Sequence, residues 1–448
     1  MQMRAWKSGG SGKLVCRLER KEPSAAVDFV TMAALPLSPY NTMPKNKSPV
    51  PRKSVVASED DADVMAQAIV DLALDIVERE VDDSKMTDPA DLRLKEDELA
   101  RLVRNALRKK NDEVLYSAIE HAKYTDIKTW QYLRAHVEEA GATMMIRRDG
   151  KPTEEMVAFL VPVFIHSTGG LALAETFQDT AAFEFLRVSF QQAGLESPDA
   201  KVVLISHAYD LQEIDSISYS QLNDMLREVA ATMSEKKLVD TPALAASISG
   251  WKGGGFEPLD AAMELRFLLG FARKRADDPF YLVPAQEDEA DAFFAARLER
   301  YRNWASTAAP LLQACLAAPS AALTLNFLYQ DLFYGAKDQA MTEMAMLAMM
   351  SEINAALDDN DLDAADASAI VGPADVDDQM VLRVALYRAG NAAPLAAPDL
   401  PFDLAADLQT EVDDICDALA TIGIHTVSVA LRFGRDGAPQ EVQPYSAQ

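Results

Sequence analysis

Cysteine is almost absent from this chain: Cys16, Cys315 and Cys416 stand far apart and are odd in number. No disulfide framework can be built from them, and their spacing matches no structural zinc pattern. Such usage fits a reducing cytoplasm, which is the expected location. Histidine is equally scarce, five in 448 residues, so few side chains titrate near neutrality. Long apolar runs are missing too. Met156–Ile165 reaches only half of the ~20 residues that a bilayer-crossing helix needs, and no membrane span is expected. The chain also has no serine nucleophile elbow, no Cys–His arrangement and no dinucleotide glycine fingerprint; no cofactor or metal is expected.

Positive charge is in short supply as well. The net charge is −27, with 43 Lys and Arg against 70 Asp and Glu. Its distribution is uneven: residues 1–57 hold ten basic against three acidic side chains, while residues 321–448 hold five against twenty-one. An acidic surface repels phosphate backbones, so nucleic acid is not expected as a partner of the folded part. The basic segment 1–57, with six prolines and Gly9-Gly10-Ser11-Gly12, reads as a disordered tail whose partners stay open. Met43 opens a second possible start of translation beside Met1.

Hydrophobic rhythm sets out an α+β chain. Residues 58–140 are helical, with Met65, Ile69, Leu72 and Ile76 on one stripe and Leu99, Leu102, Val103 and Leu107 on another, the second helix capped by Asp88 before Pro89. Arg101, Arg104 and Arg108 line that helix's other face, most simply as a solvated surface. Residues 141–318 form an α+β domain. A turn at Arg148–Pro152 joins two strands, the second apolar on both faces and therefore inside a covered sheet, with an edge or bulge at Pro162. Lys201–Ser206, Ala243–Ser249 and Met263–Ala272 are expected as further strands, and Glu287–Ala309 as a long helix that Pro310 kinks or follows with a new helix through Leu316. In residues 319–434 the order β-α-β-β-α-β begins with the alternation Leu323, Leu325, Phe327, Tyr329 and ends with Val427, Val429, Leu431, Phe433. That order is ferredoxin-like, two helices on one face of an antiparallel sheet. Residues 435–448 read as a flexible tail.

The sharpest chemical candidate lies where two apolar strands end. One runs into Ile165-His166-Ser167-Thr168-Gly169-Gly170, the other into Ser206-His207-Ala208-Tyr209-Asp210. If the two strands are parallel neighbours, both imidazoles meet at one edge, where open sheets bind ligands. His166, His207 and Asp210 are then the catalytic candidates, and Ser167, Thr168, Gly169 and Gly170 the ligand-binding ones, offering backbone N–H groups to an anion. A plainer arrangement, two strand-end turns with hydrogen-bonded histidines, is the favoured expectation. Gly250–Phe256 lacks the order of a phosphate loop, and Asp358–Asp366 has Ala364 where a calcium loop needs glycine; both read as connectors. His425 shares the phase of Val427 and Val429 and is expected in the core.

One resemblance spans about residues 60–433. Ala118-Ile119-Glu120-His121-Ala122 with Tyr132-Leu133, then Phe159–Ser167, Leu265-Arg266-Phe267-Leu268-Leu269-Gly270 and Phe333-Tyr334-Gly335 together resemble a proteobacterial domain family of unknown function. The resemblance implies a bacterial cytoplasmic protein and carries no activity or site residues. The expected role is a non-catalytic binding or regulatory module acting through protein contacts, with a homodimer as one form. The second expectation is an enzyme or small-ligand binder that takes an anionic metabolite at the His166/His207 edge.

Overall fold

The computed structural model describes residues 2–7, 14–19, 59–81, 89–167, 177, 180–248, 250, 263–316, 323–377, 379–388, 390–391, 393–402 and 407–445. They fall into two compact units, one ending at Ala340 and the other beginning at Met341. The α+β class and the N-terminal helical region are both present. Inside the segment expected to be a disordered tail, β1 (Gln2–Lys7) and β2 (Leu14–Glu19) pair antiparallel; the rest of 1–57 lies outside the described residues.

The first unit starts with four helices, α1 (Glu59–Val81), α2 (Pro89–Lys109), α3 (Asp112–Thr125) and α4 (Ile127–Ala142). Their apolar stripes close on one another: Ile69, Ile76, Leu99, Val103, Leu107, Leu133 and Val137 are all fully buried or nearly so. Asp126 caps α4 by accepting the Thr129 N–H at 2.8 Å, satisfying one donor that a helix start leaves open. Asp88, the expected cap of α2, lies outside the described residues.

The chain then builds a sheet from β3 (Thr143–Ile146), β4 (Glu154–Ser167), β5 (Lys201–Tyr209) and β6 (Met263–Arg275), in the order β3-β4-β6-β5. Between these strands run α5 (Thr180–Gln192), α6 (Leu211–Asp215), α7 (Tyr219–Ser234) and α8 (Thr241–Ala246). After β6 come α9 (Glu287–Leu316), β7 (Leu323–Phe327) and β8 (Asp331–Leu332), and both of these strands pair with β4. Val157, Phe159, Val161, Val163 and Ile165 pack on Phe190 and Trp304 of α5 and α9, while Met156, Ala158, Leu160 and Phe164 are buried on the opposite face, towards α7 and α4. This burial on both faces is why β4 reads as a continuous apolar run. Phe159 lies directly across from Gly270, where an added Cβ would meet the ring at 2.2 Å.

Pro162 sits inside this sheet. Its carbonyl accepts the Leu328 N–H at 3.0 Å, on the flank where β4 passes from pairing with β8 to pairing with β7. The missing proline N–H therefore falls at a break in the ladder. Pro310 lies within α9, which runs on to Leu316 as one helix. The strand expected at Ala243–Ser249 is a helix instead. Asp240 accepts the Ala243 N–H at 3.0 Å and Pro242 occupies the first turn, a start signal that outweighs the short apolar run.

In the second unit, α10 (Phe333–Asp359, begun in the first unit) precedes β9 (Ala367–Val376), β10 (Gln379–Arg388), β11 (Asp399–Pro401), α11 (Leu408–Thr421) and β12 (Thr426–Val429). Short strands β13 (Arg432–Phe433), β14 (Pro439–Gln440) and β15 (Gln443–Pro444) follow. The sheet order is β11-β10-β9-β12-β15, with β12 parallel to β9. Met349, Ile353, Leu357, Ile415 and Leu419 roof one face over Val371, Leu382, Val384 and Leu386. The expected β-α-β-β-α-β series is corrected at its first strand. Leu323–Phe327 joins the first unit's sheet, because β4 carries an open flank of matching length, and the second unit reads α-β-β-β-α-β before its short closing strands. The boundary expected between 318 and 319 moves with it.

Candidate functional site

The expected shared edge of His166 and His207 does not form. β6 lies between β4 and β5, antiparallel to both, so those two run the same way but are not neighbours. His166 faces Met263 on β6, whereas Ala208 faces Leu268, five residues further along. At ~3.3 Å per residue and ~4.8 Å per strand step, the two imidazoles lie on the order of 20 Å apart. Thr168, Gly169 and Gly170 lie outside the described residues, as does the side chain of Ser167.

His207 and Asp210 do come together, around a residue the sequence reading passed over. Asp210 caps α6 through the Glu213 N–H at 2.7 Å, and the Glu213 carboxylate returns to the Asp210 N–H at 2.9 Å. The same Glu213 oxygen lies 3.2 Å from His207 Nε2. His207 is 4% exposed and Glu213 7%. Burial alone would raise the Glu213 carboxyl, but the bonds from His207 and the Asp210 N–H, with the charges of His207 and Arg266, outweigh it and hold the group below its ordinary range. The Arg266 guanidinium stands 3.7 Å from Asp210. His207, Asp210 and Glu213 hold one another, and the Arg266 guanidinium is paired with Asp210 and Glu264 although its Nε is buried with no hydrogen-bond partner, so the cluster fastens the β5–α6 corner.

The other histidines are dispersed. His121 and His425 are exposed, the latter because Ile424 takes the core place expected for it. His136 stacks on Tyr132 at 6.2 Å, and burial lowers its pKa. Arg101, Arg104 and Arg108 are exposed on α2 as expected. Of the glycine-rich loop, 251–256 lies outside the described residues. Among the described residues no group of three or more His, Cys, Asp or Glu is placed to hold a metal ion, and no helix is long and apolar enough to cross a membrane.

A concave site does exist at the opposite end of the first unit's sheet. Arg148, Lys151 and Pro152 from the β3–β4 turn, Glu154 from β4, Asp199 and Lys201 at the start of β5, and Arg273, Lys274 and Arg275 at the end of β6 line a cleft of about 330 Å³. Six cations meet two carboxylates there, in a chain whose net charge is −27. Gly150, at φ +69°, lets the turn fold back so that Arg148 and Lys151 stand over the strand ends.

The register sharpens the point. Lys201 and Arg273 are direct cross-strand partners, a like-charge pairing that destabilises a sheet unless something compensates it. Arg273 is 6% exposed. One end of its guanidinium bonds the Glu154 carboxylate, and Nη1 donates to Ser234 Oγ at 3.2 Å. Arg148 donates to that same Ser234 hydroxyl, which in turn donates a hydrogen bond to the Ala230 carbonyl at 2.6 Å. Two guanidinium nitrogens on one oxygen stand at most about 6 Å apart. Their repulsion is about 0.7 kcal/mol in water and about 3 kcal/mol at an effective dielectric near 20. The C-terminal end of α7, where Ser234 lies, offsets part of this with its partial negative charge. The Arg273 Nε is buried with no hydrogen-bond partner. Glu154 is held below its ordinary range, first by the Arg273 hydrogen bond, against a smaller upward push from burial, and further by the charges of Arg273, Arg148 and Lys201.

A buried network stiffens one wall. The Lys274 ammonium stands 3.7 Å from the Tyr281 ring centre and 3.9 Å from Glu155. Tyr281 donates to Glu196 at 2.5 Å and receives the Ser197 N–H at 3.0 Å, while Gln330 donates to the other Glu196 oxygen at 2.9 Å. Sequence reading missed this cleft because its cations come from three separate stretches. The one local signal is Arg273-Lys274-Arg275, three consecutive cations in a chain poor in them, directly after the apolar run of β6.

No family model, curated protein or solved structure matches the chain, so nothing in those comparisons bears on the resemblance to a proteobacterial domain family.

Proposed function

We propose that the protein is a non-catalytic binding module whose first unit holds a small anionic ligand in the basic cleft. The observation that carries this reading is the direct Lys201–Arg273 cross-strand pair, with Arg148 drawn onto the same Ser234 hydroxyl as Arg273. Glu154 offsets one of these charges, and the remainder raise the energy of the empty site, which an anion between them lowers. The surrounding acidic surface leaves the cleft as a local positive well, which concentrates anions there. This reading keeps the binding role expected from the sequence and moves the anion from the His166/His207 end of the sheet to the opposite end. The buried Cys416 thiol, outside any disulfide, supports a reducing, cytoplasmic setting.

A thermal-shift series tests it, using the whole chain at low ionic strength with anions of one, two and three charges. The expected result is a melting temperature that climbs with ligand charge in the native chain and stays flat in a Lys201→Glu, Lys151→Glu variant. An equal response from both proteins would end the proposal.

A further inference from the structure

Resting on the anion-binding reading above, we infer that the ligand of the cleft is a diphosphate: two linked phosphoryl groups, clamped between the Arg148–Arg273 pair and the Lys151 and Lys201 ammoniums. Three features narrow the class. The first is charge. Of the six cations, Arg273 is engaged by Glu154, Arg275 by Asp277 at 3.0 Å and Lys274 by the Tyr281 ring and Glu155, which leaves Arg148, Lys151 and Lys201 against the one remaining carboxylate of the lining, Asp199. A surplus of about two charges, carried on three cationic side chains, is more than a single carboxylate meets and calls for phosphoryl groups, each of which brings about −1.5 to −2 near neutrality.

The second feature is geometry. A guanidinium presents parallel N–H donors that match the oxygens of a phosphoryl group, and here two guanidiniums already converge on one oxygen, that of Ser234. The Arg273 Nε is buried and unpartnered, an N–H that a ligand oxygen reaching into the cleft would satisfy. The third is placement. Lys151 on the turn and Lys201 on β5 are both exposed, on separate strands' ends, so the positive charge extends across the cleft instead of gathering at one point. An elongated ligand with charge at both ends suits that spread better than a single phosphate.

Isothermal titration of the whole chain in metal-free, low-salt buffer tests the class, with inorganic pyrophosphate, orthophosphate and citrate as probes. The expected result is pyrophosphate binding at least tenfold tighter than either other ion, and a further fivefold or greater weakening in each of Lys151→Ala and Lys201→Ala. Both lysines are exposed, so these variants keep the fold, and circular dichroism checks it. His166→Ala, at the far end of the sheet, serves as the control and should bind as the native chain does. An ADP arm separates the two sources of a diphosphate. Tighter binding than pyrophosphate marks an organic diphosphate and weaker binding marks the inorganic ion, and each outcome supports the class. Citrate binding as tightly as pyrophosphate would overturn the diphosphate and leave the anion site standing. No binding by any probe would overturn both.

Discussion

The two ends of the first unit's sheet use charge in opposite ways. At the β5–α6 corner, His207, Asp210, Glu213 and Arg266 mix both signs: the first three close on one another through hydrogen bonds that also cap a helix, and Arg266 stands beside Asp210 as an ion pair. At the far end, Arg148, Lys151, Lys201, Arg273, Lys274 and Arg275 share a cleft with only Glu154 and Asp199. A balanced cluster stabilises the fold and leaves little net charge to draw in a ligand. An unbalanced one costs stability, and that cost is recovered when a ligand of the missing sign arrives. The chemical richness of a cluster is thus a poorer guide to function than its surplus.

The contrast is broken most directly at the balanced end. His207→Ala should cost about 3 kcal/mol of unfolding free energy, because it leaves the buried Glu213 carboxylate without its imidazole partner. Pyrophosphate affinity should be unchanged. Chemical denaturation and titration on the same sample check both halves, and a loss of binding would join the two ends that the contrast separates.

Arg273→Ala should cost less, about 2 kcal/mol, since its partner Glu154 keeps a side chain 31% exposed and can turn to water. It should abolish the anion-dependent rise in melting temperature. Acid should act on both ends together. Glu154 and Glu213 are each held below their ordinary range, so the stability they contribute is complete above the usual glutamate pKa and is lost as pH falls through their lowered values. Unfolding free energy should begin to ease below about pH 6.5, where the unfolded chain protonates the His136 that burial keeps neutral. It should therefore fall further below about pH 4.5, with a shallower fall in that lower range in the His207→Ala variant, which lacks the bond that lowers Glu213. A profile identical to that of the native chain would remove His207 from the account. The smallest effect belongs to Lys201→Ala, which should leave the melting temperature of the unliganded chain unchanged or slightly raised, since it relieves the like-charge pair with Arg273. A clear drop would show that Lys201 serves the fold.

Much of the fold is legible in the sequence, and particular residues show where legibility stops. The unbroken run Met156–Ile165 reports burial on two faces, and the structure places helices on both. Leu323, Leu325 and Phe327 alternate as a strand should, yet alternation says only that one face is buried and is silent on which sheet does the burying. The same silence explains His166 and His207. Each lies near the end of its own strand as expected, but strand order is a long-range property, and the insertion of β6 separates them. Ala243–Ser249 fails for a local reason, because Asp240 and Pro242 form a helix start that the apolar count overlooked.

What the sequence determined by itself is therefore the set of elements, their buried faces and the acidic character of the chain, since propensity, periodicity and charge are carried within short stretches. Tertiary structure decided which strands became neighbours, and with that which charges met. Arg148, Lys201 and Arg273 are separated by 53 and 72 positions along the chain, and only the pairing of β5 with β6 and the folding of α7 beneath the β3–β4 turn set them around one cleft. Coulomb energy depends on distance in space, and distance in space is what a sequence does not state until the sheet is ordered.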